Sequence, residues 1–376
     1  MYKHVKIAIT GGPCAGKTTA MERIVREFTE KGYKVFVIDE TATDLINGGI
    51  KPFGDNPVDI VEFQRFVLEQ QLCKERIFEK VANSCKQDTI ILCDRGLMDN
   101  RAYITDWQFK ELLKERNLNE MELMASYDMV IHLVTAACGA VEFYTTANNS
   151  ARTETVEQAI CADRKTLNSW VGHKNIEIIG NEGTFDEKID NVIKSIYRLL
   201  GRPLPIQKQH KFLVDSLNLD ELIDRHLVKL EIEQFFVEGD DTENVMIRKT
   251  TKDGDSSYNR TTKKDTDVVS ERITTSRVIT EREYNELLGK SCDLPIRKCR
   301  YCFTDDNQYY RLDIFDDLDC LMILETELTD ENKRLVIPSF ISVKKDITED
   351  CSYRNANLYR KINGRRKNSS LVKKYE

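Results

Sequence analysis

The stretch Gly11, Gly12, Pro13, Cys14, Ala15, Gly16, Lys17, Thr18 constrains this chain more than any other. It fills every fixed position of the pattern G-x-x-x-x-G-K-[ST]. Val5 to Ile9 before it is a short β-branched run, and Thr18 to Phe28 after it has helical character, with Ile24, Val25 and Phe28 as apolar anchors. A strand, a glycine loop and a helix start in that order turn consecutive backbone N–H groups toward one point. The helix N-terminus adds partial positive charge there, which is the requirement for cradling a polyphosphate. Lys17 is placed to reach the terminal phosphates, and the Thr18 hydroxyl to ligate Mg²⁺. Residues Gly11 to Thr18, with Thr19 next on the helix, are therefore the expected binding residues for ATP or GTP.

The chain has 376 residues, enough for two domains with separate cores. A net charge of −7 gives no global basic field of the kind nucleic acid requires, so no nucleic-acid partner is expected. No apolar run is long enough to cross a bilayer, and the first strand begins almost at Met1, so the expected location is cytoplasmic. The eleven cysteines are scattered and odd in number, which suits a reducing compartment. The one close pair, Cys299 and Cys302, sits three apart in a strand-like run. The two side chains then face opposite ways and cannot share a metal.

Short apolar runs recur through the first half at Lys34 to Ile38, Thr89 to Cys93, Met129 to Val134 and Ile176 to Ile179. They alternate with helical stretches at Ile60 to Ser84, Trp107 to Glu115, Leu118 to Ser126, Thr155 to Val171 and Phe185 to Leu200; Ile46 to Val58 reads as a loop. This pattern predicts a three-layer α/β domain on a parallel sheet, with chemistry at the carboxyl ends of the strands. Asp94, one residue past its strand, is placed to hold Mg²⁺, or else to cap the following turn. Asp39 and Glu40 end the second strand, where a carboxylate orients a water or an acceptor hydroxyl, or caps a helix. Arg152 and Arg164 flank a helix after a long Gly/Ala/Asn-rich loop, as lid arginines over a transferred phosphate or as plain solvated side chains.

The Gly11 to Thr19 loop, the Asp94-Arg95-Gly96 step and the Asn181-Glu182-Gly183-Thr184-Phe185 ending resemble the NadR-type AAA, kinase-like P-loop domain. That group includes nicotinamide riboside kinases and thymidylate kinases. The resemblance covers residues 1 to about 200. It implies Asp94 on Mg²⁺ and Arg95 and the lid near the phosphates; Asn181 and its neighbours are placed to contact either purine, which leaves the base open.

Gly201-Arg202-Pro203-Leu204-Pro205 breaks the pattern, making 201–205 a linker. Beyond it, helical content at Leu217 to His226 gives way to strands with charge on alternate residues. Such strands read either as one solvated face or as the lining of a closed or nearly closed barrel that holds a polyanion and a divalent cation. Glu231 and Glu233, Lys298 and Arg300, Arg311 and Asp313, Glu325 and Glu327, and Lys344 and Asp346 show this spacing. With Arg248, Lys263 and the Asp346-Ile347-Thr348 ending, they look like the CYTH, or triphosphate-tunnel, superfamily over residues 206–362. That resemblance implies an eight-stranded antiparallel β-tunnel within an α+β domain, triphosphate and divalent metal as ligands, and triphosphatase activity as one alternative. The family pattern Glu-x-Glu-x-Lys, laid on Glu231, has Phe235 in the lysine position, which favours binding over hydrolysis. Residues 363–376 are polar and basic and are expected to be disordered.

A kinase-like P-loop domain followed by a CYTH-like domain is similar to the TRPL translocation defect protein family. This similarity implies purine nucleotide binding with slow hydrolysis, acidic phospholipid or polyphosphate as a second ligand, and peripheral association with membranes. Phosphorylation of a nucleoside or riboside is the enzymatic alternative.

Overall fold

In a computed structural model of the protein, the described residues are 3–140, 155–201, 209–223, 226–238, 243–265, 272–289, 294–327 and 335–372. The chain divides into two compact units, Met1–Ile206 and Gln207–Glu376.

The first unit is built on five parallel strands, β1 (His4–Gly11), β2 (Lys34–Ile38), β3 (Thr89–Asp94), β4 (Met129–Leu133) and β5 (Ile176–Ile179), in the order β2-β3-β1-β4-β5. Its helices are α1 (Lys17–Glu30), α2 (Thr41–Asn47), α3 (Ile60–Ser84), α4 (Asp106–Glu115), α5 (Glu120–Ala125), α6 (Val156–Asn168) and α7 (Phe185–Leu199), with a 3₁₀ helix over Leu97–Tyr103. Both faces of β1 are covered, and its period of two decides by what. Val5, Ile7 and Ile9 join Ile24 and Phe28 of α1 and Ile189, Val192 and Ile196 of α7 in one core. On the opposite face the Lys6 ammonium donates to Glu75 of α3 at 2.8 Å, and the Thr10 hydroxyl donates to Asp99 of the 3₁₀ helix at 2.6 Å. The segment expected as a loop from Ile46 begins one residue before the end of α2, a helix the sequence pattern did not show.

The second unit is one antiparallel sheet of nine strands: β6 (Gln209–Leu217), β7 (Val228–Glu238), β8 (Glu243–Lys252), β9 (Asp255–Asp265), β10 (Arg272–Ile279), β11 (Ile296–Asp305), β12 (Gln308–Phe315), β13 (Met322–Glu327) and β14 (Ile341–Asp346). They run in the order β10-β9-β8-β7-β11-β12-β13-β6-β14. Nine strands replace the eight implied by the resemblance, and among the described residues no ladder joins β10 to β14. Three short or terminal helices accompany the sheet, α8 (Leu219–Ile223), α9 (Glu281–Leu288) and α10 (Asn355–Val372). Phe235, Val237, Ile247 and Tyr258 pack with Tyr284 of α9, while Ile296, Phe315 and Ile323 pack with Leu358, Tyr359 and Ile362 of α10. The helix runs past residue 363, where a disordered tail was expected. Its first two turns are anchored in that core, and a helix already nucleated extends with one hydrogen bond per residue.

Candidate functional site

The carboxyl end of β1 turns directly into the glycine loop, and two positions there admit only glycine. Gly11 has φ +145° between β3 and β4, and a Cβ would lie 2.2 Å from the Leu133 carbonyl oxygen. Gly16, with φ +87°, precedes α1, and a Cβ there would lie 2.6 Å from the Phe185 ring. Cys14 also has positive φ, at 55°. The loop is braced from outside its own sequence. The buried Asp163 carboxylate on α6 accepts the Gly12 N–H at 2.7 Å and the Thr135 N–H at 3.1 Å, with His132 at 3.2 Å. Burial works to raise the Asp163 carboxyl, but His132 and the two N–H donors hold it below the usual carboxylate range. The Thr135 hydroxyl in turn donates to the Pro13 carbonyl.

Around this loop four charged groups share one electrostatic neighbourhood. Burial and the Arg95 guanidinium lower the half-buried Lys17 ammonium, against the pull of Asp94 and Glu40. Asp94 lies beside Ile9 across the β1–β3 ladder. Burial raises its carboxyl, and its Oδ1 is buried without a hydrogen-bond partner. Arg95 follows with φ 67° and pairs through Nε with Glu40, while its Nη1 is buried without a partner. Glu40 would be raised by burial, yet Arg95 and Lys17 bring it down to about 2. Its other oxygen accepts from the Thr43 hydroxyl at 2.7 Å, so Glu40 both precedes α2 and faces the loop. Thr18 and Thr19 are exposed at the start of α1. The exposed Thr18 hydroxyl at the start of α1 and the buried, unpartnered carboxylate oxygen of Asp94 at the end of the adjacent strand β3 are oxygen donors of the kind that suits Mg²⁺.

The structure revises one other expectation here. Both Asn181 N–H groups are spent on the carbonyls of Thr135 and Cys138, at 2.8 and 2.6 Å, and its oxygen accepts from Lys188 at 2.7 Å. Asn181 therefore positions the β4 end and has no donor left for a purine. Arg164 is exposed on α6, and Arg152 lies outside the described residues. Asp163, His132 and Lys188 went unnoticed in the sequence. Only spatial proximity ties them to the loop, and an acidic or basic residue in a helix looks the same whether it faces water or a backbone N–H. Burial brings the Lys188 ammonium down to about 8, although it donates to the Val134 carbonyl at 2.7 Å.

In the second unit the strand registers place Lys298 and Arg300 of β11, Arg311 and Asp313 of β12, Glu325 of β13, Lys211 of β6 and Arg248 of β8 on one face. Asp313 accepts from Lys298 at 2.5 Å and from two Arg300 nitrogens at 2.6 and 2.8 Å. Glu325 accepts from Lys211 at 2.7 Å and from Arg300 at 3.2 Å, and Glu327 accepts from Arg311 at 2.7 Å. Burial works to raise Asp313 and Glu325, but these cations hold both below the carboxylate range. As the spacing predicts, Cys299 and Cys302 face opposite ways, Cys302 buried and Cys299 partly exposed.

Glu231 and Glu233 are a correction: they sit on the opposite face, with side chains 65% and 39% exposed. Ile232 and Gln234 take the charged face in their place. Lys344 and Asp346 are exposed as well, and the side chain of Lys263 lies outside the described residues. Phe235 packs under α9, on the face opposite the charged one. The strand that opens the unit, β6, carries Gln209 and Lys211 on the charged face. Lys211 pairs opposite Glu325 of β13 and Gln209 opposite Glu327. A divalent metal in this sheet, implied by the resemblance, does not fit these residues. Each of the three carboxylates on the face is already bonded to Arg or Lys, and among the described residues no group of three or more His, Cys, Asp or Glu is arranged to hold a metal ion.

No curated protein matches the chain. Among solved structures, the crystal structure of the inorganic triphosphatase NE1496 is similar over 42% of this chain and 95% of that one, at 21% identity and a TM-score of 0.32. A second structure of the hypothetical protein NE1496 covers 41% and 97%, at 22% identity and a TM-score of 0.32. A likeness of this strength leaves the chemistry of the second unit to be read from its own residues. The first unit has a family-level match: residues 6–188, just under half of the chain, are similar to the AAA domain.

Proposed function

We propose that the first unit binds ATP or GTP with Mg²⁺ and hydrolyses it slowly, and that the second unit binds a phosphate-rich ligand, a polyphosphate or an acidic phospholipid. The observation that carries the nucleotide reading is the convergence of Lys17, Asp94, Arg95 and Glu40 on the mouth of the Gly11 to Thr18 loop. The loop N–H groups and Lys17 bind the β- and γ-phosphates, and phosphate beside Lys17 stabilises an ammonium charge that burial and Arg95 disfavour. Thr18 and Asp94 hold Mg²⁺, which neutralises charge on the phosphate oxygens. Arg95 has a free Nη1 to offer the transferred group. A titration with fluorescent nucleotide tests the reading. Lys17→Ala should lose at least tenfold in affinity, and equal affinity in the two proteins refutes it.

Small-molecule phosphorylation is the second reading, favoured by Glu40. At about 2 this carboxylate is too weak a base to remove a proton at neutral pH, but it is a permanent acceptor that orients a substrate hydroxyl. A panel of nucleosides and ribosides decides between the readings. Acceptor-stimulated nucleotide turnover that Glu40→Gln abolishes supports a kinase, and turnover indifferent to every acceptor supports a hydrolase.

A further inference from the structure

The charged face of the second unit is graded from one end to the other. Its floor is apolar, made by Ile296, Phe315 and Ile323 under α10. Above it lie Lys298 and Asp313, at 0% and 1% side-chain exposure, then Arg300 at 10%, Arg311 and Lys211 at 12% and 21%, and Glu327 at 35%. Around the middle of the face, Lys298, Arg300, Arg311, Lys211 and Arg248 lie with the carboxylates of Asp313, Glu325 and Glu327. The buried carboxylates Asp313 and Glu325 are each bonded to two cations and Glu327 to Arg311, and among the described residues no three such groups converge as a metal site would need. The cations are not all satisfied in return. Arg248 donates to Gln234 at 3.2 Å, yet its Nε is buried without a partner. Gln234 itself is fully buried, and its Nε2 has no acceptor. Unsatisfied buried donors among Arg and Lys side chains call for an anion with several acceptor oxygens.

We propose that this face binds a free polyphosphate chain without any divalent cation, Asp313, Glu325 and Glu327 acting as built-in counter-ions where a metal site would keep its carboxylates open. The inference rests on the second unit being the phosphate-binding one. The charges are recessed by degrees above an apolar floor, which suits a thin linear anion entering end-on better than a headgroup held at a bilayer surface. Burial and Arg300 lower the Arg248 guanidinium to about 10, and burial lowers Lys298 to about 8 even beside Asp313, so both cations gain from an incoming anion.

The test uses the full chain carrying Lys17→Ala, which silences the nucleotide loop, titrated calorimetrically with sodium tripolyphosphate in EDTA and again in excess Mg²⁺. Binding in EDTA as tight as in Mg²⁺, or tighter because Mg²⁺ masks the anion's charge, is the expected result. Arg248→Gln should weaken it about tenfold while shifting the unfolding temperature little, since among the described residues that arginine's side chain donates to a neutral group, Gln234. Binding that appears only with Mg²⁺ or Mn²⁺ overturns metal independence but leaves the phosphate-binding unit standing. Heat in neither buffer removes the phosphate-binding reading and this proposal together. Phosphatidic-acid vesicles that bind in EDTA while tripolyphosphate does not would overturn the choice of a free chain.

Discussion

Replacing Asp163 by alanine tests how much the glycine loop owes to a residue far from it in sequence. The carboxylate accepts two backbone N–H groups, from Gly12 and Thr135, and it is 5% exposed, so water cannot take its place. Each buried donor left without a partner costs about 1–3 kcal/mol, so Asp163→Ala should lose roughly 2–6 kcal/mol. Asp163→Asn keeps an acceptor oxygen for both donors and gives up only the charge, a loss of about 1 kcal/mol. At roughly 2–4 °C per kcal/mol for a unit of this size, thermal unfolding followed by circular dichroism should fall by about 5–20 °C for alanine and by a few degrees for asparagine. Nucleotide affinity should follow the same order, because the Gly12 N–H helps fix the loop. Alanine and asparagine variants with equal melting temperatures, both within about 1 °C of the parent, would show that the hydrogen bonds to Asp163 contribute nothing.

Three further outcomes follow from the structure. His173 is buried between the carbonyls of Tyr127 and Asn175, and burial depresses it from 6.5 to about 4. The unfolded chain therefore takes up the proton first as pH falls. The first unit should lose up to roughly 3 kcal/mol between pH 6.5 and 4, read as a falling urea midpoint that His173→Asn flattens; no difference in slope between the two proteins refutes this. Asp313→Ala strands Lys298 and Arg300 in the interior and should cost about 3–5 kcal/mol, whereas Glu327→Gln, on the exposed side of the same face, should cost under about 1; denaturant melts that rank them the other way contradict the burial gradient. Gly16→Ala meets both a left-handed backbone and the Phe185 ring, and should reduce nucleotide affinity at least tenfold in the same fluorescence titration; an unchanged affinity argues against the loop geometry.

The first unit was legible because its signals are local. A glycine loop between a β-branched strand and an amphipathic helix identifies itself, and β2, α3 and β5 fall at the residues their apolar periods mark out. What was missed depends on contact. The 3₁₀ helix after Gly96 is fixed by Asp99, which accepts the Gly96 N–H at 2.8 Å and the Thr10 hydroxyl, and by Tyr127, which accepts the Leu97 N–H at 2.8 Å. In the second unit, alternation correctly showed that β11, β12 and β13 each carry charge on one side. It cannot say which side is covered, because both faces of this sheet have covered portions. On β7 the odd positions begin exposed at Glu231 and Glu233 and end buried under α9 at Phe235 and Val237. One strand thus presents charge outward and apolar groups inward on the same face, and a parity argument from charge alone places the glutamates on the wrong side.

The strand order of the first unit also bears on how the protein is made. β1, the middle strand of its sheet, leaves the ribosome first, yet both of its ladder partners, β3 and β4, are translated much later. Roughly 80 residues separate it from β3, so at 5–20 residues per second a chain of bare N–H and C=O groups on an apolar strand waits about 4–16 s for its first pairing. Until β4 and α6 also emerge, the glycine loop has neither Leu133 beside it nor Asp163 to hold it. The loop's geometry is therefore incomplete for most of the synthesis of this unit. Over the same interval both edges of β1, buried in the finished sheet, stay exposed as unpaired backbone.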